Sequence, residues 1–474
     1  MRNSRIRIAF LATLAALLCL PVVTNAQSSL MYGSSRNPLM NSQNPAFFPS
    51  RSKGYVTLPN FNISLNSPVS LNSLATYDAQ QDKTIINANN LLDTLSSDNF
   101  RLGLNIVPFG FGVNLKKIFF TFSTQVKTQF ALGIPQGIVT FLNEGNYNHT
   151  GDDVVELING NFINATVYGE AALGAGYRVN DNIIVGLRVK GLMGILDLSN
   201  GGSSLTLRTS PDYKTLTANL DLDMNFTMPG ELKRDADSNV TGIEIKNYTP
   251  KNYGVSFDLG ARYVTDLFEV SASVLDLGPG IKWTEGIHKV VSKNENNSFT
   301  FTGMDISDAM HGGQIDTGFA QMLIDTLKTL GEYKIIDGGD PYWTSIPTKI
   351  NLGGMFNINE YFSTGLHFHG EFERGLVKDG DEFKSKLTGF FTRTSLLGRA
   401  NVKDWMEFII SASVLQSHGN WDWFNPGAGL TLTPFRTLQL YLFVDYISAL
   451  PIVDAKQVNL TFGLNVLIAR SNNK

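Results

Sequence analysis

Towards the end of the chain, apolar and polar residues alternate with a period of two. Residues 437–448 and 458–469 keep this alternation almost throughout. Because successive side chains of a β-strand point to opposite faces, the alternation predicts two strands with one apolar face each. Strands of ~10 residues with this pattern are typical of segments that cross an outer membrane with the apolar face towards lipid. The predicted apolar faces comprise Leu438, Leu440, Leu442, Val444 and Tyr446 in the first segment, and Val458, Leu460, Phe462, Leu464, Val466 and Ile468 in the second.

Similar alternating segments occur along most of the chain. Lipid offers no hydrogen-bond partner to a peptide group, so strands that face lipid must close into a barrel without a free edge. We therefore predict an all-β fold, a closed antiparallel transmembrane β-barrel of about 14 strands with a range of 12–16. The other candidate strands are residues 55–65, 101–115, 118–132, 164–179, 183–196, 253–264, 267–277, 348–358, 361–373, 405–415 and 424–433, with a further pair at 203–209 and 215–227.

The connections between these segments are of two kinds. Short polar turns such as 116–117 alternate with long connections at 133–162, 199–252 and 278–347. Outer-membrane barrels have short periplasmic turns and long extracellular loops, so we expect the long connections outside the cell. The third one carries an amphipathic pattern at 316–330, which predicts a short helix packed over the barrel mouth.

One candidate strand, 101–115, changes phase in its middle. Its apolar positions are even-numbered before Pro108 and odd-numbered after it. Proline cannot donate to a ladder hydrogen bond and is found in sheets at edges and bulges. The phase change therefore predicts a β-bulge or kink at this point.

The first 26 residues have the features of a signal peptide. Three arginines precede an apolar run at 8–23 that is short for a spanning helix, and small residues follow it. We expect cleavage to leave a mature chain that begins near Gln27. The single cysteine, Cys19, lies in the leader, so the mature chain would have no disulfide and no thiolate ligand.

Composition excludes several classes of protein. Hydrophobic residues make up 43% of the chain and charged residues only 17%, yet no apolar run after the leader approaches the ~18 residues of a spanning helix. A helical membrane protein is therefore excluded. The net charge is −4 and no basic cluster occurs, so we expect no nucleic-acid partner. No hydrolase, metalloprotease or nucleotide-binding motif is present, and we predict neither an enzyme nor a cofactor.

Between the leader and the first strand, residues 27–53 follow neither a helical nor a strand period. Two Asn-Pro pairs predict a compact, irregular path. Their Asn-Pro-Ala tripeptide, followed by two phenylalanines, resembles the signature of the FadL-like superfamily of outer-membrane channels, in which an N-terminal hatch plugs the barrel. The resemblance implies a hatch at 27–53 and a barrel at 54–474, whereas a disordered or periplasmic leader is the alternative. The hatch residues are Asn37, Pro38, Asn44, Pro45, Ala46, Phe47 and Phe48.

A second segment, 276–283, reads Asp-Leu-Gly-Pro-Gly-Ile-Lys-Trp. It resembles a segment of FadL-like and PorV/PorP-like barrels of Bacteroidota, and the mature chain resembles an uncharacterised family of outer-membrane proteins from that phylum. The resemblance implies the outer membrane of a Gram-negative bacterium and uptake of a hydrophobic small molecule past the hatch. The alternative is a non-transporting barrel that serves secretion or surface proteins as a scaffold or shuttle.

Charged residues on the polar strand faces are expected to point into the barrel. They either pair with one another across the interior, or the basic ones attract an anionic group of a solute, with Arg188 and Lys190 as the best candidates. Two histidines and a carboxylate on one strand face are also the ligand types of a zinc site, but no ligand from a second strand is evident, so we predict no metal. The candidates for the interior are Arg188, Lys190, Arg262, Lys349, His367, His369, Glu371 and Glu373.

Overall fold

A computed structural model gives the fold of most of the chain. The predicted leader and the predicted helix at 316–330 lie outside the residues that it describes. Within the described part, no helix is long and apolar enough to cross a membrane. The described residues are 28–49, 52–67, 75–78, 83–86, 100–132, 137, 154–159, 163–200, 202–212, 214–235, 240–244, 250–292, 298–301, 333–379, 382–403, 405–417, 420–447 and 457–469.

Fourteen antiparallel strands form one closed barrel, which confirms the predicted fold class. Each strand pairs with its neighbours in chain order, and the last strand pairs with the first, so the barrel has no free edge. The strands are β1 Ser52–Asn66, β2 Phe100–Leu115, β3 Ile118–Leu132, β4 Ile163–Arg178, β5 Ile183–Asn200, β6 Asn252–Val264, β7 Phe268–Trp283, β8 Thr348–Asn357, β9 Phe362–Asp379, β10 Glu382–Lys403, β11 Met406–Ser417, β12 Asn420–Leu432, β13 Leu438–Val444 and β14 Gln457–Ala469.

The outer face of the barrel is apolar. Leucine, isoleucine and phenylalanine side chains at alternate positions are exposed there, as lipid-facing residues must be. Examples that are at least 45% exposed are Phe120, Leu187, Leu259, Leu352, Ile410 and Leu442. The residues between them point inwards and are mostly polar and buried, so the barrel encloses a polar interior.

Strand β10 was not predicted. Its sequence contains the doublets Phe390-Phe391 and Leu396-Leu397, which interrupt the period of two. Leu396 is 56% exposed on the outer face, whereas Leu397 is buried and faces the interior. Because Phe391 and Leu397 on the inner face are apolar as well, the alternation is interrupted and does not reveal the strand.

The predicted pair at 203–227 exists, but these strands are not among the fourteen of the barrel. Ser204–Thr209 and Leu216–Asp221 join Val154–Asn159 and Ser298–Phe301 in a separate four-stranded sheet. Further strands prolong the barrel sheet at the end with the long connections, which we call the long-loop end. They are Asp223–Thr227, Ile287–Ser292, Tyr333–Asp337 and Tyr342–Thr344, and two hairpins, Ala75–Asp78 with Lys83–Ile86 and Glu231–Arg234 with Val240–Glu244, stand apart.

Two local predictions had different outcomes. The pairing of β2 with β3 shifts register between Ile106 and Phe109, which confirms the bulge at Pro108. The lipid-facing position of Tyr446 was wrong, because β13 ends at Val444 and the chain then turns. Tyr446 is buried instead, and its hydroxyl accepts a hydrogen bond from Arg393 Nη1 at 3.2 Å.

Candidate functional site

Residues 28–49, which we call the inner segment, lie inside the barrel. Ser28 Oγ accepts a hydrogen bond from the Met31 amide and starts helix α1, Ser29–Gly33. Asn37 caps a 3₁₀ helix, Pro38–Ser42, in the same way. Ser, Asn and Pro are favoured at these positions because the side-chain oxygens bind the first free amides and proline fits the first turn. All seven predicted hatch residues belong to this segment and are buried.

Glycines of the barrel wall let the inner segment approach closely. A Cβ atom added to any of three inward-facing glycines would lie only 2.2–2.3 Å from an atom of the inner segment. Only glycine therefore permits this contact between segment and wall. The contacts are Asn44 on Gly260, Pro45 on Gly186 and the Tyr32 ring on Gly353.

A buried carboxylate fixes the inner segment at the end of the barrel that has the short turns. Glu407 is fully buried and accepts hydrogen bonds from the hydroxyl of Ser34 and from both the amide and the hydroxyl of Ser35. Arg36 carries the only charge of the inner segment, and its Nε lies 3.8 Å from Glu407 Oε2. Within the described residues, the hydrogen bonds to the Glu407 carboxylate thus come from the inner segment.

Four buried apolar side chains lie together on one side of the barrel interior. We call this side the apolar wall and define it by Leu397, Ile409, Tyr441 and Phe443 of strands β10, β11 and β13. These buried side chains face apolar residues of the inner segment, and a Cβ on Gly33 would touch both Leu397 and Ile409. The partners of Ile409, Tyr441 and Phe443 in this apolar cluster are Leu30, Met31, Met40 and Phe47.

The opposite side, formed by β3–β8, carries a chain of buried ion pairs, which we call the charged wall. Arg188 Nη1 lies 3.4 Å from Asp258 Oδ2, and Lys190 Nζ lies 2.6 Å from both Asp258 Oδ1 and Asp276 Oδ1. Asp276 also accepts from Lys349 Nζ at 3.1 Å. The charged wall consists of Lys127, Glu170, Arg188, Lys190, Asp258, Asp276 and Lys349, whose side chains are all less than 10% exposed.

A cavity of about 50 Å³ lies between the inner segment and the charged wall. This volume is several times the minimum that one water molecule needs. Its lining residues belong to the inner segment and to strands β1–β5, β7, β8 and β14. The cavity is lined by Ser28, Met31, Leu39, Ser42, Gln43, Asn60, Phe61, Asn62, Asn105, Val107, Gln125, Lys127, Glu170, Arg188, Lys190, Asp276, Lys349 and Thr461.

Of the two predicted interior histidines, His367 contacts the inner segment directly, whereas His369 reaches it through Asn351. His367 lies 3.1 Å from Ser29 Oγ through Nδ1 and stacks on the Tyr32 ring. Asn351 Oδ1 accepts from both His367 Nε2 at 3.2 Å and His369 Nδ1 at 2.8 Å. The described residues contain no group of three or more His, Cys, Asp or Glu side chains arranged to bind a metal ion.

The remaining predicted residues are not part of one site. Arg262 pairs with Glu269 at 2.5 Å and lies over the Phe47 ring, 4.0 Å from its centre. Glu371 Oε2 is 3.8 Å from His369 Nε2. The side chain of Glu373 lies outside the described part of the structure.

Several residues that organise the interior were not predicted to lie there. Glu170, Asp276 and Glu407 neutralise the predicted basic residues or bind the inner segment, yet in the sequence they look like any polar position of a strand. Arg399 donates to the Gly33 carbonyl at 3.2 Å and lies on the strand that alternation did not reveal. No short-range pattern indicates which charges meet, because their partners lie on different strands.

The chain is similar to several solved structures at low sequence identity. The crystal structure of the toluene transporter TbuX of Ralstonia pickettii is 10% identical with a TM-score of 0.45, and the alignment covers 95% of this chain and 99% of that one. A FadL homologue of Pseudomonas aeruginosa is 11% identical with a TM-score of 0.45, covering 94% and 99%. For the toluene transporter TodX of P. putida the identity is 9%, the TM-score 0.42 and the coverage 92% and 93%.

At the level of sequence, no curated protein matches the chain. The profile of a family of unknown function (DUF5723) matches residues 45–445, which is most of the chain. The chain therefore belongs to this family of unknown function, DUF5723.

Proposed function

We propose that the protein is an outer-membrane channel for a hydrophobic small molecule, and that the inner segment is a movable plug which closes it. The observation that carries the proposal is that residues 28–49 occupy the interior and bind both walls through side chains. The segment is not a strand of the barrel, so it can leave without breaking the barrel ladder. A movable plug admits a solute without leaving a permanent pore.

The contacts of the inner segment suit a reversible fit. Most of its polar contacts are single hydrogen bonds to different strands, such as Ser273 Oγ and Asn351 Nδ2 to the Gln43 carbonyl. Each hydrogen bond contributes only about 0.5–1.5 kcal/mol net, because water replaces the lost partner. A solute that displaces the segment therefore has to replace only individually weak hydrogen bonds, one after another.

A disulfide that links the segment to the wall tests the proposal. Ser29 Oγ and Ser395 Oγ are 2.8 Å apart, so cysteines at both positions place two sulfur atoms close enough to bond. The predicted mature chain has no other cysteine. We expect intact Gram-negative cells with Ser29→Cys/Ser395→Cys to take up a labelled apolar solute only after reduction. Each single-cysteine variant serves as the control.

Equal uptake by the oxidised and reduced protein would contradict a movable plug. Uptake no faster than in cells without the protein would contradict the channel itself. The second result would favour a scaffold that serves secretion or surface proteins.

The additional sheets at the long-loop end favour this alternative, since they offer protein surface beyond the membrane. There Arg234 and His288 both bind Asp337, and the hydrogen bonds from Arg234 lower the pKa of Asp337.

A further inference from the structure

The cavity between the inner segment and the charged wall contains more free acceptors than its basic lining suggests. Three buried oxygen atoms of its lining residues have no hydrogen-bond partner among the described residues. They are Gln43 Oε1 on the inner segment, Asn105 Oδ1 on β2 and Glu170 Oε1 on β4. Arg188 Nη2 lies 3.8 Å from Glu170 Oε1, which is beyond hydrogen-bond distance. A buried acceptor that lacks a donor is destabilising, so this cavity favours a ligand that donates a hydrogen bond.

The cations of the same lining are already paired with carboxylates. Lys127 Nζ lies 2.6 Å from Glu170 Oε2, and Lys190 and Lys349 share Asp276. An anion entering the cavity would have to compete with these carboxylates, and it would meet the free oxygens without offering them a proton. The charged wall nevertheless holds four cations and three carboxylates, so an anionic ligand is the competitor that an experiment must include.

Four residues of the cavity lining are apolar and lie among polar and charged neighbours. Phe61 and Val107 belong to the wall, and Met31 and Leu39 belong to the inner segment. At about 50 Å³ the cavity accepts only the polar end of an organic molecule while the segment is seated. The apolar body of such a molecule would take the space of Met31 and Leu39, and its binding would therefore displace the segment.

We propose that the channel selects a neutral apolar molecule that carries a hydrogen-bond donor, such as a hydroxyl group, in preference to a carboxylate or a plain hydrocarbon. This inference rests on the proposed function and names its substrate class. The hydroxyl group donates to Glu170 or Asn105, and the apolar body lies against Phe61 and Val107.

Binding of three monosubstituted benzenes to the full-length protein tests the selection. Phenol, toluene and benzoate share a benzene ring. Phenol carries a hydrogen-bond donor, toluene a methyl group and benzoate a negative charge. We expect phenol to bind about tenfold tighter than either of the others, the factor that corresponds to ~1.4 kcal/mol. Isothermal titration in detergent, with protein-free micelles as the reference, measures all three affinities and does not depend on transport.

Two variants assign the effect to the cavity. Asn105→Leu removes one free acceptor and should weaken phenol binding several-fold with toluene unchanged. Asn114→Leu is the matched control, because Asn114 lies on the same strand and also has a free Oδ1, but it does not line the cavity. Glu170→Gln should weaken phenol and strengthen benzoate, since Lys127 then loses its carboxylate.

Each outcome supports or overturns the inference. Equal affinities for phenol and toluene would show an apolar site, and tightest binding of benzoate would show an anion site; both overturn it. Binding of none of the three overturns it as well. Failure of the disulfide experiment together with selective phenol binding would overturn the channel but not the ligand preference of the cavity.

Discussion

The two walls of the interior hold the same inner segment by different means. The apolar wall covers leucine, methionine and phenylalanine side chains of the segment, whereas the charged wall binds mainly to itself. Of its charged residues, Arg188 reaches the segment, with Nη1 3.5 Å from the Asn41 carbonyl. The apolar wall therefore holds the segment by apolar contacts, whereas the charged wall is held together by its own ion pairs.

The largest effect is expected from breaking the charged wall. Asp276→Asn leaves Lys190 and Lys349 without a full counter-charge in a buried place, which costs about 3–5 kcal/mol when one partner of a buried pair is removed. We expect the free energy of unfolding in lipid vesicles to fall by this amount. Glu285→Gln, which removes an exposed ion pair with Lys251, should cost only about 0–1 kcal/mol. Equal losses for the two variants would contradict the role of the charged wall.

On the apolar wall, the neighbours Ile409 and Ile410 allow a matched comparison. Ile409 is fully buried against the inner segment, whereas Ile410 is 51% exposed on the outer face. Ile409→Ala should cost about 2–5 kcal/mol, because it leaves a cavity. Because Ile409 packs against the inner segment, its truncation should also expose the segment more often. We therefore expect faster maleimide labelling of Met40→Cys, a buried position of the segment. Ile410→Ala should leave the labelling rate unchanged, and a similar increase in both variants would refute the contact.

How far the fold and the interior contacts could be predicted from the sequence depends on where the interacting residues lie in the chain. Alternation in β13 and β14 predicted the barrel because lipid and a polar interior impose opposite demands on neighbouring residues. It did not reveal β10, where Leu397 meets the apolar inner segment. The inward position of Arg188 could be predicted from the alternation along its strand. Its partner Asp258 is 70 residues away in the sequence, and only the folded barrel brings the two together.

Glu407 offers a sharper test of how the segment is held. Glu407→Gln weakens the hydrogen bonds from Ser34 and Ser35 and removes the charge opposite Arg36. Hydrogen bonds to a charged group contribute about 1.5–3 kcal/mol. We therefore expect the inner segment to dissociate from the barrel interior roughly ten times more often. Labelling of the Met40→Cys background measures this frequency, with Glu285→Gln as the control. An unchanged rate would mean that Glu407 does not hold the segment.

The smallest effect is expected at the glycine contacts. A Cβ at Gly186 would lie 2.3 Å from the Pro45 backbone, whereas at Gly191 on the same strand the nearest atom is 3.9 Å away. Gly186→Ala should therefore weaken the binding of the inner segment inside the barrel by about 1–3 kcal/mol, the usual cost of overpacking. Gly191→Ala should have no effect on labelling of Met40→Cys. If both variants label alike, the close fit at Gly186 does not contribute to closure.

The central claim is that the inner segment closes the barrel and can move. Single-channel conductance of Ser29→Cys/Ser395→Cys in a planar bilayer tests it most directly. We expect no ion current from the oxidised protein and intermittent openings of the same molecules after reduction. A steady current through the oxidised, fully cross-linked protein would contradict it.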